Sequence, residues 1–224
     1  MTGSTRITCV GLEPAVARLV DDAARQALDA LALEPLLPAL EICADDLAGS
    51  EDAWLRLRRG VAGEPPGLSI YCHPDVFGPM RPATGTVYPP RAVWESPGPA
   101  RDEQPLTAAA FSRTRADAFL HHHLLWGHDV LGGGLRSFDV PALLAEAFAA
   151  CWAVTVDGRL ARRELPGYNL TERRGRFSRL FSTGGVLMPG HWEAFQGLWE
   201  GLSERPREVV AVARRLPRLQ GRGT

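Results

Sequence analysis

The chain has 224 residues, 45% of them apolar and 23% charged, and a formal net charge of −1 at pH 7. This is enough apolar content for a real core, and the charge is too balanced for the basic face that nucleic acid requires. No stretch approaches the ~20 apolar residues of a membrane span, and Met1 to Arg6 lacks the apolar core of a signal peptide, so the composition points to a cytoplasmic protein without nucleic-acid or membrane partners.

Residues 13 to 33 carry Val16, Leu19, Val20, Ala23, Ala27, Leu28 and Leu31 at helical spacing. Pro14 suits the first turn of that helix, and Pro35 and Pro38 stop it. Ala39 to Cys43 reads as a short strand, and 45 to 50 as a polar turn. Ala53 to Arg59 reads as a short helix ended by Gly60. From Gly63 to Pro105 the density of proline and glycine excludes long helices. Leu68 to Cys72 and Thr86 to Tyr88 are strand candidates there, the second resuming at Arg91 to Trp94; Pro89 and Pro90 suit an edge strand. Ser96 to Gln104 is a polar loop.

Leu106 to Leu131 reads as one long helix, capped by Thr107 and stopped by Gly132, Gly133 and Gly134. A second helix starts after Asp139 with Pro141 in its first turn and runs to about Val156, where Asp157 and Gly158 mark its end. Helices over 171–181, 191–202 and 207–216 follow. Strands and then a run of helices make the class α+β: an N-terminal helix and a small mixed sheet, followed by a helical C-terminal half. No linker divides the chain, so 1–224 is read as one domain, with a core fold over about 10–160 and added C-terminal helices over 161–224.

Four of the six histidines lie between 121 and 128. Two ligands on one helical face need a separation of three or four residues, and no two of these histidines have it. His121, His122 and His123 point in three directions about 100° apart. His121 and His128 share a face but lie about 10.5 Å apart along the axis. Glu146 sits in an apolar helix, and an acid facing a core needs a partner, a place His122 would fill.

The segment His122-His123-Leu124-Leu125-Trp126 resembles the H-E-x-x-H helix of zincin metallopeptidases. The resemblance places His122 at the first zinc histidine, His123 at the general-base glutamate and Trp126 at the second zinc histidine. Glu146 falls where gluzincins carry their glutamate ligand. The order of helix, short strands and long helix is also that of a minimal zincin. Two of the four key positions depart from the family. An indole nitrogen is a donor only and cannot ligate zinc, and family chemistry uses a carboxylate to deprotonate the zinc-bound water. The resemblance therefore implies a zincin-like fold with an incomplete site and a non-catalytic scaffold or peptide- or protein-binding role. Its cleft would be rimmed by 86–94, the edge strand that in zincins pairs with substrate backbone. The alternative is a divergent metal-dependent hydrolase that binds zinc through His122 and Glu146, with His128 or Asp129 as third ligand. A third reading is an unrelated helical interaction protein.

His128-Asp129 is also similar to the metal-binding pair of HD-type phosphohydrolases, although His73, in the sequence His73-Pro74-Asp75, reads as a turn. The four cysteines, without C-x-x-C spacing, read as reduced, partly buried thiols. Arginines between 173 and 179 are either an anion site or exposed helix residues paired with Glu164 or Glu172. Trp192, Phe195, Leu198 and Trp199 form an apolar stripe.

Overall fold

A computed structural model of the chain describes residues 4–44, 53–58, 67–79, 106–132, 134–135, 140–181 and 187–216. Among these, the elements in chain order are β1 (Arg6–Val10), α1 (Pro14–Ala30), β2 (Ala39–Ala44), β3 (Trp54–Arg58), β4 (Gly67–Cys72), α2 (Arg113–Leu131), α3 (Ala145–Arg162), α4 (Leu170–Phe181), α5 (Pro189–Glu200) and α6 (Pro206–Arg215). The class is α+β, a four-stranded mixed sheet with six α-helices. No helix among the described residues is long and apolar enough to cross a membrane.

The strands lie in the order β1-β2-β4-β3. The first three are parallel, and β3 closes one edge antiparallel to β4. The register aligns Ile7 and Cys9 with Leu40 and Ile42, and these with Leu68 and Ile70. On the far side Leu57 and Leu55 meet the same pair. Because side chains alternate across a strand, these residues share one face. The α1 and α2 helices pack together on the sheet, and the approach of α2 is close enough that a Cβ on Gly127 would lie 2.6 Å from Leu68 Cδ2. The opposite face carries polar groups: Ser69 Oγ donates to Glu41 Oε2 at 2.8 Å, and Arg58 lies 3.7 Å from the same carboxylate.

The α3 helix is the hub of the second half. It packs against α2, α4, α5 and α6. Every residue from Cys151 to Gly158 is buried, as expected for a helix enclosed on all sides. Gly158 is the point of nearest approach: a methyl group there would overlap the backbone carbonyl of Trp199 in α5.

Four segments differ from the sequence reading. Within the segment read as a helix from Ala53 to Arg59, Trp54–Arg58 forms strand β3 instead. Its Leu55/Leu57 and Arg56/Arg58 alternate with period two, and pairing with β4 decides the outcome. Strand β1 has no counterpart in the sequence reading, because only one of its two sides is apolar and it is short. The Leu106–Leu131 helix is broken: a 3-10 turn over Ala108–Ala110 precedes α2, and Thr107 makes no side-chain cap. Between them the Ser112 N–H turns to the Phe77 carbonyl at 2.7 Å, which holds the backbone extended. Finally, α3 continues to Arg162, with Asp157 and Gly158 in its interior. The turn at 45–50, the strand candidates at 86–94, the loop at 96–104 and the Asp139 cap lie outside the described residues.

The two glycines Gly158 and Gly175 give opposite expectations. Gly158→Ala forces backbone against backbone and should cost about 2–4 kcal/mol. Gly175 on α4 has nothing within 4 Å of its would-be Cβ, so Gly175→Ala should be stabilising by about 0.4–1 kcal/mol. Urea denaturation of both variants measures the contrast, and equal effects would contradict the packing of α3 on α5.

Candidate functional site

The histidine helix places its side chains in four different environments. His121 Nδ1 donates to the Asp117 carbonyl of its own helix at 2.7 Å. His122 points across to α3, where its Nδ1 lies 2.9 Å from Asp157 Oδ1. His123 is buried against Phe119, with ring centroids 4.4 Å apart, and its Nδ1 has no hydrogen-bond partner. His128 is half-exposed, 3.8 Å from Asp129.

Asp157 is the focus of the site, and its side chain has no exposure at all. Besides His122 it accepts from Arg173 Nε of α4 at 2.5 Å and from the Tyr168 backbone N–H at 3.3 Å. Burial pushes its carboxyl up, but His122 and Arg173 outweigh that and hold it below the usual value. Asp157 is therefore ionised and can only accept. It follows that His122 Nδ1 carries the proton and that Nε2 keeps its lone pair. Arg173 Nη2, 3.5 Å from the same Nδ1, is a neighbour rather than a donor to it. Burial, with the cations Arg173 and Arg176 nearby, lowers the His122 pKa despite Asp157. Burial likewise holds His123 well below the usual imidazole value, with His122 and the same arginines adding to the effect. The site is a buried Asp157–Arg173 ion pair carrying a neutral imidazole.

Aromatic rings close it. The Tyr168 ring centroid lies 5.2 Å from that of His122, and the guanidiniums of Arg173 and Arg176 stack on it at 5.0 and 4.4 Å. The Trp126 ring meets His122 at 5.7 Å and an interplanar angle of 74°. Two turns further along the same face of α2, Asp129 accepts from Trp152 Nε1 at 3.2 Å and from both terminal nitrogens of Arg159. That bidentate pair ties the end of α2 to α3.

The residues expected to bind zinc are thus not brought to one point. His122 is held by Asp157. Asp129 is held by Arg159 and Trp152. Glu146 is exposed in the first turn of α3, where a carboxylate favours the helix N-terminus. It lies eleven residues, or about 16 Å of helix rise, from Asp157. The core-facing Glu146–His122 pair is therefore replaced by Asp157–His122. No group of three or more His, Cys, Asp or Glu among the described residues is arranged to hold a metal ion, so the residues expected to hold zinc do not fit a three-ligand site. The His128-Asp129 pair likewise gains no further ligand among them. His73 caps a 3-10 turn, accepting the Asp75 N–H at 3.2 Å.

Sequence reading missed Asp157, Arg173, Tyr168, Trp152 and Arg159. The signal for Asp157 was present: an acid inside the apolar run 151–160 needs a partner. Arg173 is buried rather than an exposed partner of Glu164 or Glu172. Glu172 instead pairs reciprocally with Asn169, as an α4 cap. In the aromatic stripe Phe195 is core, while Trp192 is exposed with Arg174 stacked on it. None of the four cysteines is in a disulfide. Burial, Asp21 and Cys43 push Cys9 up to about 11. Burial, Cys43 and Cys9 push Cys72 up to about 12. Comparison with protein-family models, curated proteins and solved structures finds no match to this chain.

Two expectations follow. Asp157→Ala leaves Arg173 buried and unpaired and should cost about 3–5 kcal/mol, whereas Glu146→Ala, at an exposed position, should stay within about 0.5 kcal/mol; thermal melts of both variants separate the two acids. Stability should also depend on pH in a defined direction. The fold keeps His122 and His123 neutral, while unfolded imidazoles titrate near 6.5. Stability is then complete above about pH 6.5 and is lost as pH falls, because the unfolded chain binds more protons. Asp157, held low, adds a second loss below about pH 4. Urea midpoints from pH 7.5 to 5 should fall, and His123→Leu should flatten the slope; a flat wild-type profile would contradict the neutral buried pair.

Proposed function

We propose that the chain is a zincin-like protein without a working hydrolytic centre, acting in the cytoplasm as a peptide- or protein-binding module. The observation that carries this reading is the state of His122. By the resemblance His122 stands at the first zinc position, yet its partners are Asp157 and, edge-on, Trp126. Trp126 occupies the place of the second zinc histidine and fills space beside His122. His123, in the place of the general base, is buried in aromatic contacts with an unpaired Nδ1. A water-activating carboxylate is thereby replaced by a packed neutral ring. The order of α1, short strands and long α2 supports the minimal zincin reading, and among the described strands β1 and β3 lie at the two edges of the sheet, β3 being the antiparallel one.

One observation favours the hydrolase alternative. The contact with Asp157 leaves His122 Nε2 with its lone pair, an orientation that carboxylates impose on metal-binding histidines. Further ligands would have to come from beyond the described residues, since Glu146 and Asp129 are engaged elsewhere or distant.

Elemental analysis of tag-free protein never exposed to chelator decides between them. The expected result is no stoichiometric zinc, no change in metal content on His122→Ala, and no cleavage of a mixed peptide library. One zinc per chain that is lost in His122→Ala would overturn the binding-module reading and establish the hydrolase one.

A further inference from the structure

We infer that an open cleft between α4 and α5 binds a free α-amino acid with a large apolar side chain. The cleft has a volume of about 560 Å³, and its lining residues among those described come from α4, α5 and the turn that ends α5, none from the histidine helix. That turn is what leaves the cleft open. Gly201 adopts φ +85°, its N–H bonds to the Leu198 carbonyl at 3.3 Å, and the Leu202 N–H reaches back to the Gly197 carbonyl at 2.8 Å. In a helix end of this kind the residue after the left-handed glycine commonly packs on a side chain of the last full turn. Here the position it reaches is Gly197, so Leu202 stays 76% exposed beside an uncovered floor.

The charges in the cleft select the ligand. Arg173 turns inward to Asp157, and Arg174, about 100° further round α4, lies over the Trp192 and Phe195 rings at 5.5 and 5.7 Å. Arg174 makes no hydrogen bond or ion pair among the described residues, and its Nε is buried without a partner. Glu193 and Glu200 line the same cleft. Among the described residues Glu193 is unpaired, and Glu200 accepts only the Gln196 amide. Opposite charges that share one cleft without pairing are held apart, with the apolar Trp192 and Leu202 in the same lining. A carboxylate alone would meet Arg174 but also face two glutamates, and an amine alone would meet the glutamates but also face Arg174. A carboxylate and an ammonium on one carbon answer both charges at once. The Trp192 ring, 42% exposed, and Leu202 then receive the apolar side chain.

Saturation-transfer NMR of the full chain is run with L-phenylalanine, phenylalaninamide and phenylpropionate, which carry both charges, the cation only and the anion only. Saturable binding of L-phenylalanine is expected, about tenfold tighter than that of either analogue. Arg174→Gln and Glu193→Gln should each weaken it about fivefold. Gly197→Leu, which fills the floor, should abolish it, and by placing a better helix former inside α5 it should leave the helix intact. Circular dichroism verifies the fold of all three variants. Absence of saturable binding, an analogue that binds as tightly as the amino acid, indifference to both charge variants, or binding that survives in folded Gly197→Leu overturns the inference.

Discussion

A carboxylate with no access to water governs this structure. Asp157 lies in the middle of the most enclosed helix, and an ion in that position is tolerated only when its charge and its lone pairs are met. Three separate elements meet them: α2 with His122, α4 with Arg173, and the turn before α4 with the Tyr168 N–H. Each partner must arrive from a different direction, so satisfying one side chain fixes the crossing of three elements. The stacking of the Arg173 and Arg176 guanidiniums on the Tyr168 ring then holds the segment before α4 in place. The fixed tautomer of His122 follows from that arrangement.

Much of the fold was legible because period and burial agreed. The apolar stripe from Val16 to Leu28 and the three C-terminal helices each present an apolar face, and the short β2 and β4 runs are buried along most of their length. The errors arose where a local signal met a stronger tertiary one. Asp157-Gly158 has the composition of a helix stop, yet the carboxylate is needed by His122 and the missing Cβ by Trp199. In β3, five residues fit a helical turn as well as a strand, and only the neighbouring β4 resolves them. The histidines were legible in part. Their spacing already denied them a common ligand point, and the structure gives each a separate role. Their shared density suggested a centre that the side chains do not build. Glu146 and Asp157 both sit in apolar surroundings in the sequence, and only the tertiary packing exposes the first and buries the second.

The buried pair and the sheet edge are mechanically related. Gly127 lets α2 settle on Leu68, one residue beyond Trp126 and on the strand next to β3. The helix that carries His122 is therefore the backing of the outer strand.

The tie between Asp157 and Arg173 has a further consequence for how the chain is divided. A core fold ending near residue 160 would contain the anion and omit its cation, and the Trp199 carbonyl that closes on Gly158 would be missing as well. The C-terminal helices are thus not an appendage to a self-sufficient unit. The chain up to about residue 160 carries a buried charge that Arg173, in α4, neutralises, so the anion and its counter-charge come together only once α4 has been made.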